Sequence, residues 1–344
     1  MTIRAIDLTS AAVQAVIPSL MISADSHVFE APEAWTGLSK EMRQRIPARQ
    51  VAPHLTGGRD PKQRIPAMDQ DSVAAEVLYP SEALTVFAQE QQMQERAFSA
   101  YNDWIADYCK VDPKRLFAVP CLSVYDIDQA IAELHRSYDM GLIGCLIWQV
   151  PDPKLPFTSN HYEKLWAAAA ELGTPVNLHI LTGFSYMRAK PQGIEKVRGS
   201  VNHKTADAVN TLFDFIWTGV FERHPKLKIE MVEAEIGWMP FVLQQWDYYF
   251  RRFTKGGDEF PIKRPPSEIF KKHIYCTFMD DYVGSRALSF WGEKNCMWSS
   301  DYPHGNMTWP NSRAFVSRQI GELPKKTQNR LLSENVIDLY KLPL

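Results

Sequence analysis

Four short clusters in this sequence carry the side chains that hold metal ions or move protons. They are Asp25-Ser26-His27, Asn177-Leu178-His179, Glu233-Ala234-Glu235 and Asp301-Tyr302-Pro303-His304. On an extended strand, residues i and i+2 point the same way, so Asp25 and His27 share a face, as do Asn177 and His179. Two imidazoles and two carboxylates meeting at one place make a mixed nitrogen and oxygen site. Such a site suits Zn2+, Mn2+ or Fe2+ better than Ca2+ or a thiolate-held ion. Each cluster alone also has an ordinary explanation. Asp25 and His27 can be a satisfied polar pair, His179 a hydrogen-bonded core histidine, and Asp301 the cap of a turn. The metal reading depends on whether the elements around the clusters bring them together.

Those elements are short apolar runs rich in branched residues: Met21–Val28, Val73–Pro80, Leu116–Leu122, Leu142–Val150, Pro175–Ile180, Leu227–Ala234, His273–Met279 and Cys296–Tyr302. Continuous apolar character without alternation marks strands buried on both faces. Helical patterns separate most of them, at Ile127–Asp139, Tyr162–Leu172, Thr205–Phe221 and Met239–Phe253, and a last one spans Lys325–Tyr340. Eight strands alternating with helices predict an α/β fold, a (β/α)8 TIM barrel with C-terminal helices. An open doubly wound sheet is the runner-up, but no GxGxxG follows the first strand. Residues 29–72 are too long for an ordinary strand-to-helix loop and contain Pro32, Pro47, Pro53, Pro61 and Pro66. They read as a long, lid-like insertion after strand 1. The expected organisation is an N-terminal arm over 1–20 and one barrel domain over 21–344. In a barrel of this kind, reactive residues stand at the C-terminal strand ends, where all four clusters lie.

The 344 residues carry 38 Lys and Arg against 40 Asp and Glu. That balance offers no bulk field for nucleic acid or an anionic membrane. Five cysteines without a CxxC pair exclude a disulfide framework or thiolate zinc site, and fit a reducing compartment. With no long apolar stretch and no signal-peptide pattern, the expected location is cytoplasmic. Ten Trp and 23 Pro point to structured loops and a ring-lined pocket.

Four stretches carry a family resemblance: ADSHVFEAPEAW (24–35), GTPVNLHI (173–180), GVFERHPKLKIEMVEAEIGWMP (219–240) and MWSSDYPHGNMTWPNS (297–312). Over about residues 20–343 the chain resembles the amidohydrolase-related branch that includes aminocarboxymuconate-semialdehyde decarboxylase and γ-resorcylate decarboxylase. The resemblance implies that Asp25, His27, His179 and Asp301 are the metal ligands, the same four residues picked out by strand ends. One position departs. Decarboxylases of this branch place a proton-transferring His at the end of strand 6, where this chain has Glu233. A buried carboxyl can replace it as acid or base, or serve as a further ligand; a strand-end ion pair is the plainer alternative. His304 can contact substrate, shuttle a proton or, with Glu233, bind a second metal, or else satisfy its own turn. Glu30 either orients a ligand histidine or favours the helix start before Pro32. Arg64 is a candidate carboxylate clamp, and Trp148, Trp238 and Trp309 are candidate walls of the substrate pocket.

The expected activity is metal-dependent hydrolysis or non-oxidative decarboxylation of a small, carboxylate-bearing, cyclic or aromatic compound. Asp301, Glu233 and His304 are the candidate catalytic groups. One divalent ion is expected, Zn2+ first, with Mn2+ or Fe2+ as alternatives and room for a second metal. Two other readings stay open: a dinuclear-iron, oxygen-dependent monooxygenase on the same fold, and a non-catalytic metal-bound subunit. The expected partners are a small-molecule substrate and a second copy in a homodimer, or a sister subunit in a hetero-oligomer, with no nucleic acid and no membrane.

Overall fold

The computed structural model describes Pro18 and residues 20–344; the rest of the proposed 1–20 arm lies outside the described residues. Each of the eight apolar runs forms a strand. In chain order they are β1 (Ile22–His27), β2 (Ala75–Tyr79), β3 (Leu116–Ala118), β4 (Cys145–Val150), β5 (Val176–Gly183), β6 (Ile229–Val232), β7 (Ile274–Phe278) and β8 (Cys296–Trp298). Their residues are almost all buried, as strands covered by a packed interior and an outer helix layer must be. All ladders are parallel, running β1-β2-β3 and β4-β5-β6-β7-β8.

Backbone hydrogen bonds close these two arcs into a barrel. At one seam Ile143 N donates to Ala118 O (2.9 Å), Leu146 N to Pro120 O (2.8 Å) and Leu122 N to Leu146 O (2.9 Å). At the other, Asp301 N donates to Asp25 O (3.0 Å) and His27 N to Tyr302 O (2.6 Å). The second seam ties the Asp25-Ser26-His27 and Asp301-Tyr302-Pro303-His304 clusters directly to each other.

Three elements differ from the sequence expectation. Residues 29–72 are built of four short helical pieces: Pro32–Trp35, Lys40–Gln44, Pro53–Gly58 and Pro61–Asp71. Three of them start on proline, which tolerates the first helical turn because its missing N–H has no partner there. The expected helix over Thr205–Phe221 is two, Lys204–Trp217 and Val220–Arg223, split at Gly219 with φ of 74°. The terminal pattern Lys325–Tyr340 is helical as expected, but its end leaves the outer helix layer. It reaches the barrel interior, where the Tyr340 hydroxyl donates to Glu230 and lies 2.9 Å from the Tyr79 hydroxyl. Gly144, at φ of 64°, makes room for this: a Cβ there would meet Asn177 Oδ1 at 2.5 Å and Tyr340 Cε1 at 3.0 Å.

Candidate metal centre

β1 and β5 deliver their histidines to one point. His27 Nδ1 lies 2.6 Å from Pro80 O, and His179 Nδ1 lies 2.9 Å from Ile180 O. A carbonyl only accepts, so both rings carry their proton on Nδ1 and turn a bare Nε2 lone pair inward. The two Nε2 atoms are 3.2 Å apart. Neither can donate to the other, so the contact is repulsive until a cation accepts both lone pairs.

The carboxylates complete the cradle. Asp25 Oδ1 is 3.3 Å and Asp301 Oδ1 is 3.5 Å from His27 Nε2, and Glu233 Oε2 is 3.5 Å from His179 Nε2. Asp25 and Asp301 are fully buried; Asp25 accepts no hydrogen bond on either oxygen, and Asp301 has only the His304 ring beside it, with Nδ1 3.0 Å from Oδ1. Buried carboxylates left bare in this way are costly, and an ion is the partner whose chemistry fits them. Asp25, His27, His179 and Glu233 each offer a ligand atom within 4.8 Å of the others, and His27, Asp301 and His304 form a second such group sharing His27. The residues present therefore fit a divalent metal.

Burial sets the proton affinities. It pushes the Asp25 carboxyl up, against the pull of His179 and His304, and holds Asp301 and Glu233 well above the carboxylate range. The next cause is like charge: Asp25 acts on Asp301, and Asp301 and Asp25 act on Glu233. Burial likewise lowers His179 to about 3 and keeps His27 neutral, each disfavoured further by a neighbouring histidine. Backbone strain is concentrated here as well. Glu233, Glu235 and Asp301 have φ of 57°, 53° and 54°, left-handed values that L residues other than Asn and Asp seldom adopt. Thr277 Oγ1 helps hold this turn by accepting from Glu233 N at 2.7 Å.

All six metal and acid–base candidates, Asp25, His27, His179, Glu233, Asp301 and His304, come together. His304 stacks on His27 with ring centres 3.9 Å apart, and its Nδ1 is 3.0 Å from Asp301 Oδ1. The candidate substrate contacts fare differently. Arg64 is fully buried, not open to a substrate carboxylate, because its guanidinium is consumed by the fold: Nε donates to Glu76 (2.5 Å) and Nη1 to His27 O (2.6 Å). Trp148 is a core residue whose Nε1 donates to Tyr162 Oη, Trp238 Nε1 donates to Ala234 O, and Trp309 Nε1 donates to Ala67 O. Among the described contacts, none of these three rings touches the six cluster side chains.

Sequence reasoning passed over Ser81 and Lys204. Ser81 stands just beyond β2, and its Oγ is 2.9 Å from His304 Nε2. The strand-end rule applied to β2 would have found it. Lys204 opens the helix Lys204–Trp217 and is a cation whose field eases the charge on Glu233, Asp301 and Glu235. No strand-end signal marks it.

Known proteins bear on the same site. Decarboxylase orsB of Emericella nidulans is 29% identical over 225 residues, covering 62% of this chain and 64% of its own length. The chain thus spans a little less than two thirds of that relative. A γ-resorcylate decarboxylase of Rhizobium sp. is 22% identical over 243 residues, covering 67% of this chain and 74% of the relative. Among solved structures, a dihydroxybenzoic acid decarboxylase from Polaromonas sp. with bound manganese and the inhibitor 2-nitroresorcinol superposes with a TM-score of 0.71. It is 17% identical and covers 94% of this chain and 98% of that one, a likeness of fold. No helix among the described residues is long and apolar enough to cross a membrane. The amidohydrolase family model matches residues 51–342, and with the barrel and its mouth as described, the chain belongs to the amidohydrolase family.

Proposed function

We propose that this protein is a metal-dependent, non-oxidative decarboxylase of a small aromatic carboxylate bearing an ortho hydroxyl. The observation that carries this reading is the pair of bare, buried carboxylates, Asp25 and Asp301, facing two neutral Nε2 atoms. The decarboxylase names of the relatives favour this chemistry over hydrolysis. Asp25, His27 and His179 would hold the ion, with Asp301 and Glu233 on either side. The two ligand groups share His27, which favours one ion over the two needed by a dinuclear oxygenase. Three carboxylates against two imidazoles tilt the donor set toward oxygen, so Mn2+ competes with the Zn2+ expected from sequence.

When bound, the ion would orient the substrate through its carboxylate and hydroxyl oxygens and favour the ionised hydroxyl, which makes the ring carbon basic. Asp301 is the proton donor in this reading, and His304, with Nδ1 3.0 Å from Asp301 Oδ1, links it to the partly open mouth. The proton moves from Asp301 to the ring carbon that carries the carboxylate. The carbon–carbon bond then breaks, CO2 leaves, and the bonding pair restores the aromatic ring. Asp301 regains a proton from water by way of His304. Lys204 limits the negative charge gathered at Glu233 and Asp301. Exposed Phe241, Tyr248, Phe253 and Phe290 support self-association into a homodimer, to be read by light scattering.

The test is to load the protein with Mn2+ or Zn2+, offer 2,6-dihydroxybenzoate and related ortho-hydroxybenzoates, and follow CO2 release. Release that vanishes on chelation and returns with metal is the expected result. Turnover of amides or lactones with no CO2 from any of these acids would overturn the reading in favour of a hydrolase.

A further inference from the structure

We propose that Glu30 and Ser81 are positioning residues of this site, acting through the turn at residues 80–83 on the orientation of His27 and the tautomer of His304. The proposal rests on the decarboxylase reading only for its activity measurements.

Glu30 lies three residues beyond β1 and is buried. Its Oε2 accepts from Ser81 N (3.2 Å) and Glu82 N (2.9 Å), and its Oε1 accepts from Ala83 N (2.8 Å). These amides lead into the short helix Ala83–Ala88, whose opening N–H groups have no partner within the helix. The clamp is reciprocal: Glu82 Oε2 accepts from Glu30 N (2.9 Å), and Arg49 Nε steadies Glu82 at Oε1 (3.0 Å). One carboxylate thus fixes the backbone of the turn from three points, across 51 to 53 residues of sequence.

The turn spends that rigidity on two histidines. Pro80 O takes the Nδ1–H of His27, which leaves Nε2 free for a metal. Ser81 Oγ meets His304 Nε2, while the opposite nitrogen of that ring lies against Asp301. A carboxylate beside Nδ1 favours the proton on that nitrogen, so Nε2 is the acceptor and the Ser81 hydroxyl the donor. With both nitrogens assigned, His304 stays stacked over His27 and in line with Asp301. Ser81 is not placed as a nucleophile, because the amides of 81–83 that could stabilise an oxyanion are already occupied by Glu30.

Three measurements on the full chain test this. In Glu30→Gln, one oxygen becomes an NH2 donor facing an amide N–H, so at least one of the three amides loses its acceptor and the clamp loosens, and Mn2+ affinity by calorimetry should fall about 10-fold to 100-fold. In Ser81→Ala, Mn2+ affinity should hold within about twofold of wild type while kcat falls about 10-fold to 100-fold with KM unchanged, and Ser81→Thr should restore kcat. In the Zn2+-loaded protein, long-range 1H–15N spectra of the His304 ring should show one tautomer, replaced by a mixture in Ser81→Ala. Thermal melts confirm that each variant is folded. Unchanged metal affinity in Glu30→Gln, or an unchanged His304 spectrum in Ser81→Ala, overturns the proposal. If no benzoate is turned over at all, the decarboxylase reading fails alone, because metal affinity and ring spectra need no substrate.

Discussion

The barrel interior has two polar layers, one on each side of the Tyr79 ring, which lies 6.2 Å from His27 and 5.8 Å from His179 between ring centres. Below it, Glu230 Oε2 accepts from Asn177 Nδ2 (2.5 Å), from Tyr79 Oη (3.3 Å) and from Tyr340 Oη. Glu230 Oε1 has no partner, so one of its two oxygens is engaged; above the ring, neither oxygen of Asp25 accepts a hydrogen bond and Asp301 meets only His304. Strand β5 supplies both layers, with Asn177 in the lower and His179 in the upper, so the layers differ through the partners each side chain meets. A terminal helix supplies the lower layer with donors, and it is a resting structural network. The upper layer is left for a cation, at a cost the lower layer does not bear.

The largest expected effect comes from the upper layer. His179→Ala should lose stoichiometric metal by elemental analysis and at least ~10²-fold in turnover. Asp25→Asn should do the same, yet raise the melting temperature of the metal-stripped protein, because it removes a bare buried carboxylate worth ~1–3 kcal/mol. If chelated wild type and chelated Asp25→Asn melted together, the two layers would not differ as described.

The lower layer should answer to pH. Burial pushes the Glu230 carboxyl up from 4.5 to about 8, so the folded chain holds a proton that the unfolded chain releases. Its contribution to stability is fully present below about pH 4.5 and is lost as pH rises through 8, on the order of a few kcal/mol in all. Melting followed from pH 6 to pH 9.5 should show this decline, and Glu230→Gln should make it shallower, the other raised carboxyls such as Glu235 keeping their share. An unchanged slope in the variant would falsify the assignment.

Gly144→Ala presses a methyl group against Asn177 and Tyr340 at a left-handed φ, and should cost ~1–3 kcal/mol by denaturant titration with metal content intact. The smallest effect is expected far from both layers. Arg223→Ala breaks the part-exposed pair with Glu163 and should change stability by less than ~1 kcal/mol.

The strands were legible because burial on two faces favours unbroken apolar runs, which Leu116–Ala118 and Cys296–Trp298 display over a few residues. Asp25, His27, His179 and Asp301 were legible because a parallel barrel sends strand ends to one mouth. Arg64 was not, since pairing with Glu76 depends on how the helix Pro61–Asp71 lies against β2. Ser81 and Lys204 escaped notice for a related reason: their neighbours are 223 residues away in the first case and reached only through the field of a folded mouth in the second.

The sequence alone therefore determined which acidic and imidazole side chains gather at the barrel mouth, because local hydrophobic pattern dictates strands and strands dictate direction. Only the tertiary structure decided which polar groups are already satisfied. Glu230 and Asp25 are both carboxylates carried by barrel strands, and local pattern places them near opposite strand ends without showing what each meets. Contacts from Tyr340, Asn177 and Tyr79 engage the first, and the absence of any such donor leaves the second for an ion.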